Sequence, residues 1–293
     1  MRVGAGLLIL AMLLTPAVDG VAKVLSADHT PMTIAFLRYL GAGLVALLAA
    51  RAGGRRIVVP EGDRAGQLLR TALLVAAMTA LIAALGMVPM AKAVGGFLVA
   101  PIVSGLLGIL VWREPPTAPR LAGAAISCAG AALLLRPEAG LEPGCLFALL
   151  GGALLGTYLA ATRGARSRTD ALSTLAVQSL LGALLLAPFA LAGGLPSPTP
   201  GLLLGALGLG AGSAACHFLT VAAYQRADAA VLAPFLYFNL VTATVAGFLF
   251  FGETVDRGGA LGLLAIVAGG LVALVPAAGS RARQALAVRV RFA

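Results

Sequence analysis

Two similar stretches set the architecture of this chain: Gly108-Ile-Leu-Val-Trp-Arg-Glu114 and Gly247-Phe-Leu-Phe-Phe-Gly-Glu253. Each closes an apolar run with a glutamate, although only 11 acidic residues occur among the 293. The offset in residue number from Gly108 to Gly247, here called the repeat offset, also relates Gly123 to Gly262, Gly130 to Gly269 and Pro137 to Pro276. The sequence therefore predicts two copies of one unit, residues 1–138 and 139–279, followed by a basic tail, residues 280–293.

Composition indicates that the solvent of this chain is lipid. Hydrophobic residues make up 60% of the sequence, charged residues only 11%, and the mean hydropathy is +1.00, whereas soluble domains carry about 25% charged residues. Ten apolar stretches are long enough to cross a hydrocarbon core of about 30 Å. An all-α integral membrane protein with ten transmembrane helices is predicted, with spans at 4–25, 32–51, 67–88, 92–112, 118–135, 143–162, 169–191, 200–222, 229–251 and 257–276.

Each predicted unit holds five spans, and five is an odd number. The second copy must therefore enter the membrane from the opposite side, which makes the arrangement an inverted 5+5 repeat. Repeats of this kind are typical of secondary transporters, in which two similar halves move around a site near the middle of the membrane. The organisation of the chain thus predicts a carrier before any individual residue is considered.

The net charge of +10 is explained by topology better than by a nucleic-acid partner. Alternate connections between spans with their flanks, together with Arg2 and the basic tail, hold 16 of the 21 Lys and Arg residues. This is the positive-inside pattern of membrane proteins, and it predicts that both chain ends lie in the cytoplasm. No basic stretch is interleaved with the aromatic side chains that stack on bases. We expect a multi-pass protein of a bacterial inner membrane, with no nucleic-acid partner.

Two further stretches carry a family resemblance. They are Ala223-Tyr-Gln-Arg-Ala-Asp-Ala-Ala-Val-Leu-Ala-Pro-Phe-Leu-Tyr237 and Phe250-Phe-Gly-Glu-Thr254, and the chain resembles the EamA-type transporters of the drug/metabolite transporter superfamily. The first-half counterpart runs from Leu85-Gly-Met-Val-Pro89 to Val111-Trp-Arg-Glu114. It departs from the second copy at Arg113, where the second copy has Gly252.

The resemblance implies a ten-helix basket around a central cavity, lined mainly by helices one, three, four, six, eight and nine. It also implies export or exchange of small metabolites, and similar bacterial members export amino acids, including aromatic ones. The alternatives are a multidrug carrier, another metabolite carrier or facilitator, an integral-membrane enzyme acting on lipid, and a membrane scaffold or sensor. The partners expected are a small-molecule substrate and the bilayer. Substrate identity, coupling ion and oligomeric state stay open.

No catalytic, cofactor or metal motif is found. The sequence has no Gly-x-x-x-x-Gly-Lys-Ser/Thr nucleotide loop and no His-Glu-x-x-His, and it has no Gly-x-Ser-x-Gly nucleophile motif. The three cysteines fit neither a metal site nor a disulfide framework. We therefore expect a protein that is not an enzyme and needs no cofactor.

Polar and aromatic side chains at membrane depth are the candidates for substrate binding, because burying them in lipid is costly. Tyrosine can stack on an aromatic substrate and hydrogen-bond its polar end, and histidine exchanges protons near neutral pH. The residues chosen are Tyr158, His217, Tyr237, Asn239 and Met78. For His217, Asn239 and Met78 the alternative is a role in helix packing, and Gln178 is expected to bond between helices.

Asp19 and Lys23 are spaced i, i+4 on the first helix and share one face. Together with His217 they are candidates for gating or coupling, and a structural ion pair is the alternative. Arg38 could take Asp19 as its partner instead. Helix bends are expected at Pro16, Pro101 and Pro234, and Glu114 and Glu253 are expected to anchor the start of the helix that follows each of them.

Overall fold

The computed structural model describes residues 2–58, 64–113, 117–135, 142–162, 171–192, 194, 196–224, 226, 232, 235–273 and 275. Within these residues the chain is all-helical, without strands. The helices are α1 (Arg2–Leu25), α2 (Pro31–Ala52), α3 (Arg64–Met87), α4 (Met90–Phe97), α5 (Ala100–Trp112), α6 (Ala118–Leu135), α7 (Pro143–Thr162), α8 (Ala171–Ala192), α9 (Pro200–Tyr224), α10 (Phe238–Phe251) and α11 (Arg257–Ala273).

Eight stretches of the described chain are long and apolar enough to cross a bilayer, and one of them, Met90–Val111, covers α4 and most of α5. Two further apolar helices are shorter: α10 has 14 residues and α11 has 17. The predicted all-helical, multi-pass fold is confirmed. Ten complete spans stay a prediction, since the predicted ninth span, 229–251, begins among residues that the structure describes only in part.

Helices from the two predicted units pack against each other in pairs. The principal pairs are α1 with α9, α2 with α8, α3 with α7, and α6 with α11. The main apolar core lies where α1, α2, α3, α7 and α9 meet, and it contains Val18, Ile34, Ile82, Ala148 and Leu209. We call the end of the bundle where α1 begins the amino-terminal end, and the end where α1 stops the opposite end.

Small residues bring α6 and α11 into backbone contact. A Cβ added at Gly130 would lie 2.7 Å from the Gly262 carbonyl oxygen, and one added at Gly262 would lie 2.6 Å from the Gly130 carbonyl oxygen. Gly123 and Gly269 face each other in the same way. This contact pattern is unchanged when each residue is replaced by its counterpart at the repeat offset. In lipid, close backbone approach of this kind is what holds helices together.

The predicted helix bends have different outcomes. Pro16 lies inside the continuous helix α1 and has no N–H to donate to the Met12 carbonyl. The Thr242 hydroxyl of α10 donates to that oxygen at 2.9 Å instead, so a neighbouring helix satisfies the freed group. Near Pro101 the predicted span is interrupted between α4 and α5, and the proline lies in the first turn of α5. Pro234 lies outside the described residues.

The two repeated glycine-to-glutamate stretches end in the same backbone conformation. Gly252 follows α10 with φ of 64°, and Arg113 follows α5 with φ of 54°. In both cases the backbone N–H donates to the carbonyl of the matched glycine, Gly247 or Gly108. Glycine adopts this left-handed conformation without strain, whereas arginine does not. Replacement of the glycine by Arg113 in the first copy therefore keeps the turn, but the positive φ at Arg113 costs local conformational energy.

Candidate functional site

A buried ion pair lies within the bundle between α1 and α2. Arg38 Nη1 donates to Asp19 Oδ1 at 3.2 Å, and only 2% of the Asp19 side chain is exposed. Asp19 thus pairs with the neighbouring helix, whereas Lys23, one turn further along α1, takes a different partner described below. Helix α9 packs against both α1 and α2, and its Cys216 is partly buried against the main apolar core. A charged centre is therefore enclosed by three helices.

A neutral polar pair joins α7 and α8. Gln178 Nε2 donates to the Tyr158 hydroxyl over a long distance of 3.4 Å, which is the interhelical bond expected of Gln178. At the repeat offset, Tyr158 is the counterpart of Asp19, and Gln178 is the counterpart of Tyr39. The Tyr39 ring packs against Gly182 of α8, one turn after Gln178. Of these matched positions, only Asp19 is a charged residue, and its counterpart Tyr158 carries an uncharged hydroxyl.

Two polar side chains of α9 point away from the surface of the bundle. Ser213 and His217 lie one turn apart, on the face opposite the exposed residues Leu204 and Ala215. Ser213 Oγ and His217 Nε2 are buried and have no hydrogen-bond partner in the described part of the protein. Buried polar atoms ordinarily have such a partner. These two atoms are therefore available to a polar group that enters the bundle.

Met78 and Asn239 occupy different surroundings. Met78 of α3 is the counterpart of His217 at the repeat offset and is half-buried against the main apolar core. Asn239 lies in the first turn of α10, and its Oδ1 is buried without a hydrogen-bond partner among the described residues. Of the two, Asn239 offers a free polar atom, whereas Met78 offers an apolar wall.

An open cleft of about 300 Å³ lies between α5, α6 and α11. Pro101 and Tyr237 line one part of it, and Ile109, Arg120 and Ala273 line the part at the amino-terminal end. The Tyr237 ring lies directly against Gly270, where an added Cβ would overlap it. Tyr158 is not among the lining residues, so a cavity shared by the two tyrosines stays a prediction. The cleft extends from the Tyr237 ring toward the amino-terminal end of the bundle.

Lys23 is held at the opposite end of the bundle by four groups. Its ammonium donates to the Leu85 carbonyl at 2.7 Å and the Val88 carbonyl at 2.8 Å, and it contacts Glu253 Oε1 at 3.1 Å. The Phe251 ring lies 5.7 Å away, within the range of a cation–π contact. The second carboxylate oxygen, Glu253 Oε2, accepts the Met90 N–H at 2.7 Å. We call these residues the Lys23 cluster.

Glu253 does anchor a helix start, but it is not the start expected from sequence. Met90 is the first residue of α4, and the preceding Pro89 provides no side-chain cap. The helix that follows Glu253, α11, is capped by Asp256, whose Oδ1 accepts the Gly259 N–H at 3.0 Å. The left-handed turn at Gly252 separates Glu253 from α10, and its side chain reaches α4. Glu114 lies outside the described residues.

The predicted residues thus fall into three places, and some residues that shape these places are not found from sequence. Asp19, Tyr158 and His217 lie in or beside the interior, Tyr237 lies in the cleft, and Lys23 lies at the opposite end. Sequence reasoning misses Ser213, although its spacing one turn before His217 is a usable signal. Nothing in the spacing of Lys23 and Glu253 shows that they meet.

The described residues contain no group of three or more His, Cys, Asp or Glu side chains that could hold a metal ion. The site consists instead of one buried ion pair, scattered uncharged polar groups and an aromatic cleft between apolar helices. Such an arrangement can contact a small amphipathic molecule, because it offers charge, hydrogen bonds and an aromatic face. The fold and this interior together define a multi-pass membrane protein with a polar centre.

Comparison with known proteins assigns the chain to a family. The model of the EamA-like transporter family matches residues 2–136 and again residues 142–275, so the chain belongs to the EamA-like transporter family. Membership makes it a membrane transporter of small solutes. No curated protein matches it significantly in sequence. One solved crystal structure is 22% identical, with a TM-score of 0.66 over 92% of this chain and 96% of the other, which shows a shared fold.

Proposed function

We propose that this protein is a secondary transporter that exports small metabolites, with amino acids (aromatic ones included) as the first candidates. It works by alternating access across a bacterial inner membrane, with both chain ends in the cytoplasm. The observation that carries the proposal is the pairing of each principal helix of one half with a helix of the other half. A solute held between such halves is exposed to one side or the other as they move.

The proposed architecture is ten spans in an inverted 5+5 repeat. Two separate family matches, one in each half of the chain, support two units. The glycine contacts of α6 and α11 support inversion, since exchanging the halves exchanges Gly123 with Gly262 and Gly130 with Gly269 and keeps the same contacts. The matched pairs Asp19 with Tyr158, and Met78 with His217, would then face one another across the middle of the membrane.

Solute binding is proposed for Tyr158, His217, Tyr237, Asn239 and Met78. The free polar atoms of His217 and Asn239 support this role, because a solute that bonds to them replaces a partner that the protein does not supply. Asp19 and Lys23 are proposed for gating or coupling, and His217 for proton coupling. The direct test is uptake into liposomes containing the protein, with amino acids, nucleosides and cationic drugs compared as solutes. Uptake of amino acids above protein-free liposomes supports the proposal, and uptake of the other classes alone overturns the substrate assignment.

The proposed topology predicts which cysteine substitutions react from outside the cell. In a cysteine-free parent, Ser197→Cys should react with an impermeant thiol reagent added to intact cells, whereas Arg55→Cys and Ser280→Cys should react only in inverted vesicles. The reason is that Lys and Arg accumulate in connections that stay in the cytoplasm. Labelling of position 55 in intact cells would contradict the proposed orientation.

A second prediction concerns selectivity at the tyrosines. Stacking on a tyrosine ring contributes about 0.5–1.5 kcal/mol beyond buried area, which is roughly a two- to tenfold preference. Replacing Tyr237 or Tyr158 with leucine keeps apolar bulk and removes the ring and its hydroxyl. Uptake of phenylalanine should fall by about this factor relative to alanine. The ratio of the two uptake rates is the quantity to measure.

The neighbour of Tyr237 supplies a matched variant for the selectivity experiment. Gly270→Ala keeps the residue Tyr237 itself. The added methyl group would overlap the Tyr237 ring, so the ring must move. The phenylalanine-to-alanine ratio should therefore fall in Gly270→Ala as it does in Tyr237→Leu. If the ratio is unchanged in both tyrosine variants, neither ring contacts the solute.

A further inference from the structure

The Lys23 ammonium makes two hydrogen bonds and one ion pair. A lysine side chain has three N–H donors, and the three acceptors around it are the Leu85 carbonyl, the Val88 carbonyl and Glu253 Oε1. Both oxygens of Glu253 are used as well, one by Lys23 and one by the Met90 N–H. Each charged residue of the Lys23 cluster therefore has more than one partner, and displacing either of them would break several contacts together.

The cluster joins parts of the protein that are far apart in sequence. Lys23 lies in the last turn of α1, Leu85 lies in the last turn of α3 and Val88 directly after it, Met90 begins α4, and Glu253 follows α10. The first three places lie in the first predicted unit, whereas Glu253 lies in the second. The Lys23–Glu253 ion pair thus ties the two halves of the chain together at the opposite end of the bundle.

The charges are also matched to the helix ends that they contact. The last carbonyls of a helix lack partners within the helix and carry partial negative charge, and the first N–H groups carry partial positive charge. Lys23 binds the carbonyl end of α3, and Glu253 binds the amide end of α4. Separating the halves would leave the amide end of α4 without Glu253, whereas Lys23 would stay with the carbonyl end of α3, because both belong to the first unit. Opening at this end therefore requires that the Lys23–Glu253 ion pair and the Glu253–Met90 hydrogen bond break.

The two ends of the bundle differ in the present structure. The aromatic cleft reaches the amino-terminal end, where Ile109, Arg120 and Ala273 line it. At the opposite end, Lys23 and Glu253 are only 17% and 13% exposed. Among the described residues, the cleft thus lies toward one end of the bundle, and an interhelical ion pair of low exposure joins the helices at the other.

We propose that the Lys23 cluster is the gate at the opposite end, and that Glu253 must release Lys23 before a solute can reach the interior from that side. The proposal rests on the alternating-access function proposed above and assigns Glu253 a role in it. Neutralising either charge shifts the protein toward the arrangement that is open at the opposite end. The solute would then enter or leave between α1, the α3–α4 connection and the segment that follows α10.

The experiment measures access to the middle of α9 from each side of the membrane. The parent carries Cys128→Ser, Cys145→Ser and Cys216→Ser, together with Ser213→Cys as the single reporter thiol. Lys23→Gln and Glu253→Gln are compared in this parent, and Glu253→Gln keeps an acceptor for the Met90 N–H while removing the charge. Lys92→Gln is the matched control, because the Lys92–Glu142 pair also lies at the opposite end but is 25% and 50% exposed. An impermeant maleimide is added to right-side-out or inverted vesicles.

The expected result is a change of opposite sign on the two sides. In Lys23→Gln and Glu253→Gln, labelling from the opposite end should rise by about tenfold or more, and labelling from the amino-terminal end should fall. Lys92→Gln should match the parent. A merely loosened or misfolded protein would be labelled faster from both sides, and that result would overturn the gate. Unchanged labelling rates in Lys23→Gln and Glu253→Gln would also overturn it. So would a Lys92→Gln variant whose labelling changes as much as theirs. Opposite changes without any solute uptake would retain the gate and reject the proposed transport function.

Discussion

Asp19→Ala, with Arg38 left in place, should lower the free energy of unfolding by about 3–5 kcal/mol, since removing one partner strands a buried charge. The guanidinium of Arg38 is only 13% exposed and loses its ion pair. Unfolding in mixed micelles, followed by circular dichroism against the denaturing detergent fraction, measures the change. The effect should be among the largest of any single polar substitution in the described bundle.

Two further variants test whether the loss of stability comes from leaving a buried charge without a partner. Asp19→Leu combined with Arg38→Leu removes both charges and should recover most of the lost stability, because a buried ion pair contributes little beyond an apolar replacement. Glu142→Gln breaks the exposed pair with Lys92 and should cost less than about 1 kcal/mol. If Asp19→Ala costs no more than Glu142→Gln, the interior pair is solvated and is not the charged centre described above.

Gly130→Ala should destabilise the protein by about 1–3 kcal/mol, as expected when a methyl group is forced into a closely packed contact. The added Cβ would lie 2.7 Å from both the Gly262 carbonyl oxygen and the Ile266 nitrogen. These are backbone atoms of α11, which can move away only by separating the two helices. The same detergent unfolding measurement gives the change in stability.

Gly6→Ala is the matched control for the helix contact. Gly6 lies in α1, and a Cβ added there meets nothing within 4 Å. Alanine is favoured over glycine in a helix by about 0.8–1.0 kcal/mol, so Gly6→Ala should be neutral or stabilising. Equal effects of the two substitutions would mean that α6 and α11 do not rely on close backbone approach.

The repeated glycines show how far sequence alone predicts this fold. The repeat offset selects Gly123, Gly130, Gly262 and Gly269 without any knowledge of contacts, and these four residues meet in the α6–α11 pair. The boundaries of most helices also follow from the apolar stretches. The interruption between α4 and α5 is indicated only by Pro101, because an apolar run gives no sign of where its backbone hydrogen bonds stop.

The ion pairs show where sequence reasoning ends. The i, i+4 spacing of Asp19 and Lys23 indicates a shared helix face, yet their partners are Arg38 and Glu253 on other segments. The partner of each residue depends on how α1 packs against α2, α3 and the segment after α10. The spacing of Asp19 and Lys23 along α1 carries no information on this packing. Sequence alone offers Arg38 as a partner for Asp19, whereas the meeting of Lys23 and Glu253 is visible only in the tertiary structure.

The proposed function requires that one site is exposed to the two sides of the membrane in turn. The direct measurement is efflux of radiolabelled amino acid from liposomes containing the protein, with and without unlabelled amino acid outside. In a carrier that alternates, the binding site returns to the inside faster when it carries a solute. Unlabelled amino acid outside should therefore accelerate efflux of the labelled amino acid severalfold. Efflux that is measurable but unaffected by outside amino acid would indicate a simple pore, and efflux no faster than from protein-free liposomes would contradict transport of amino acids.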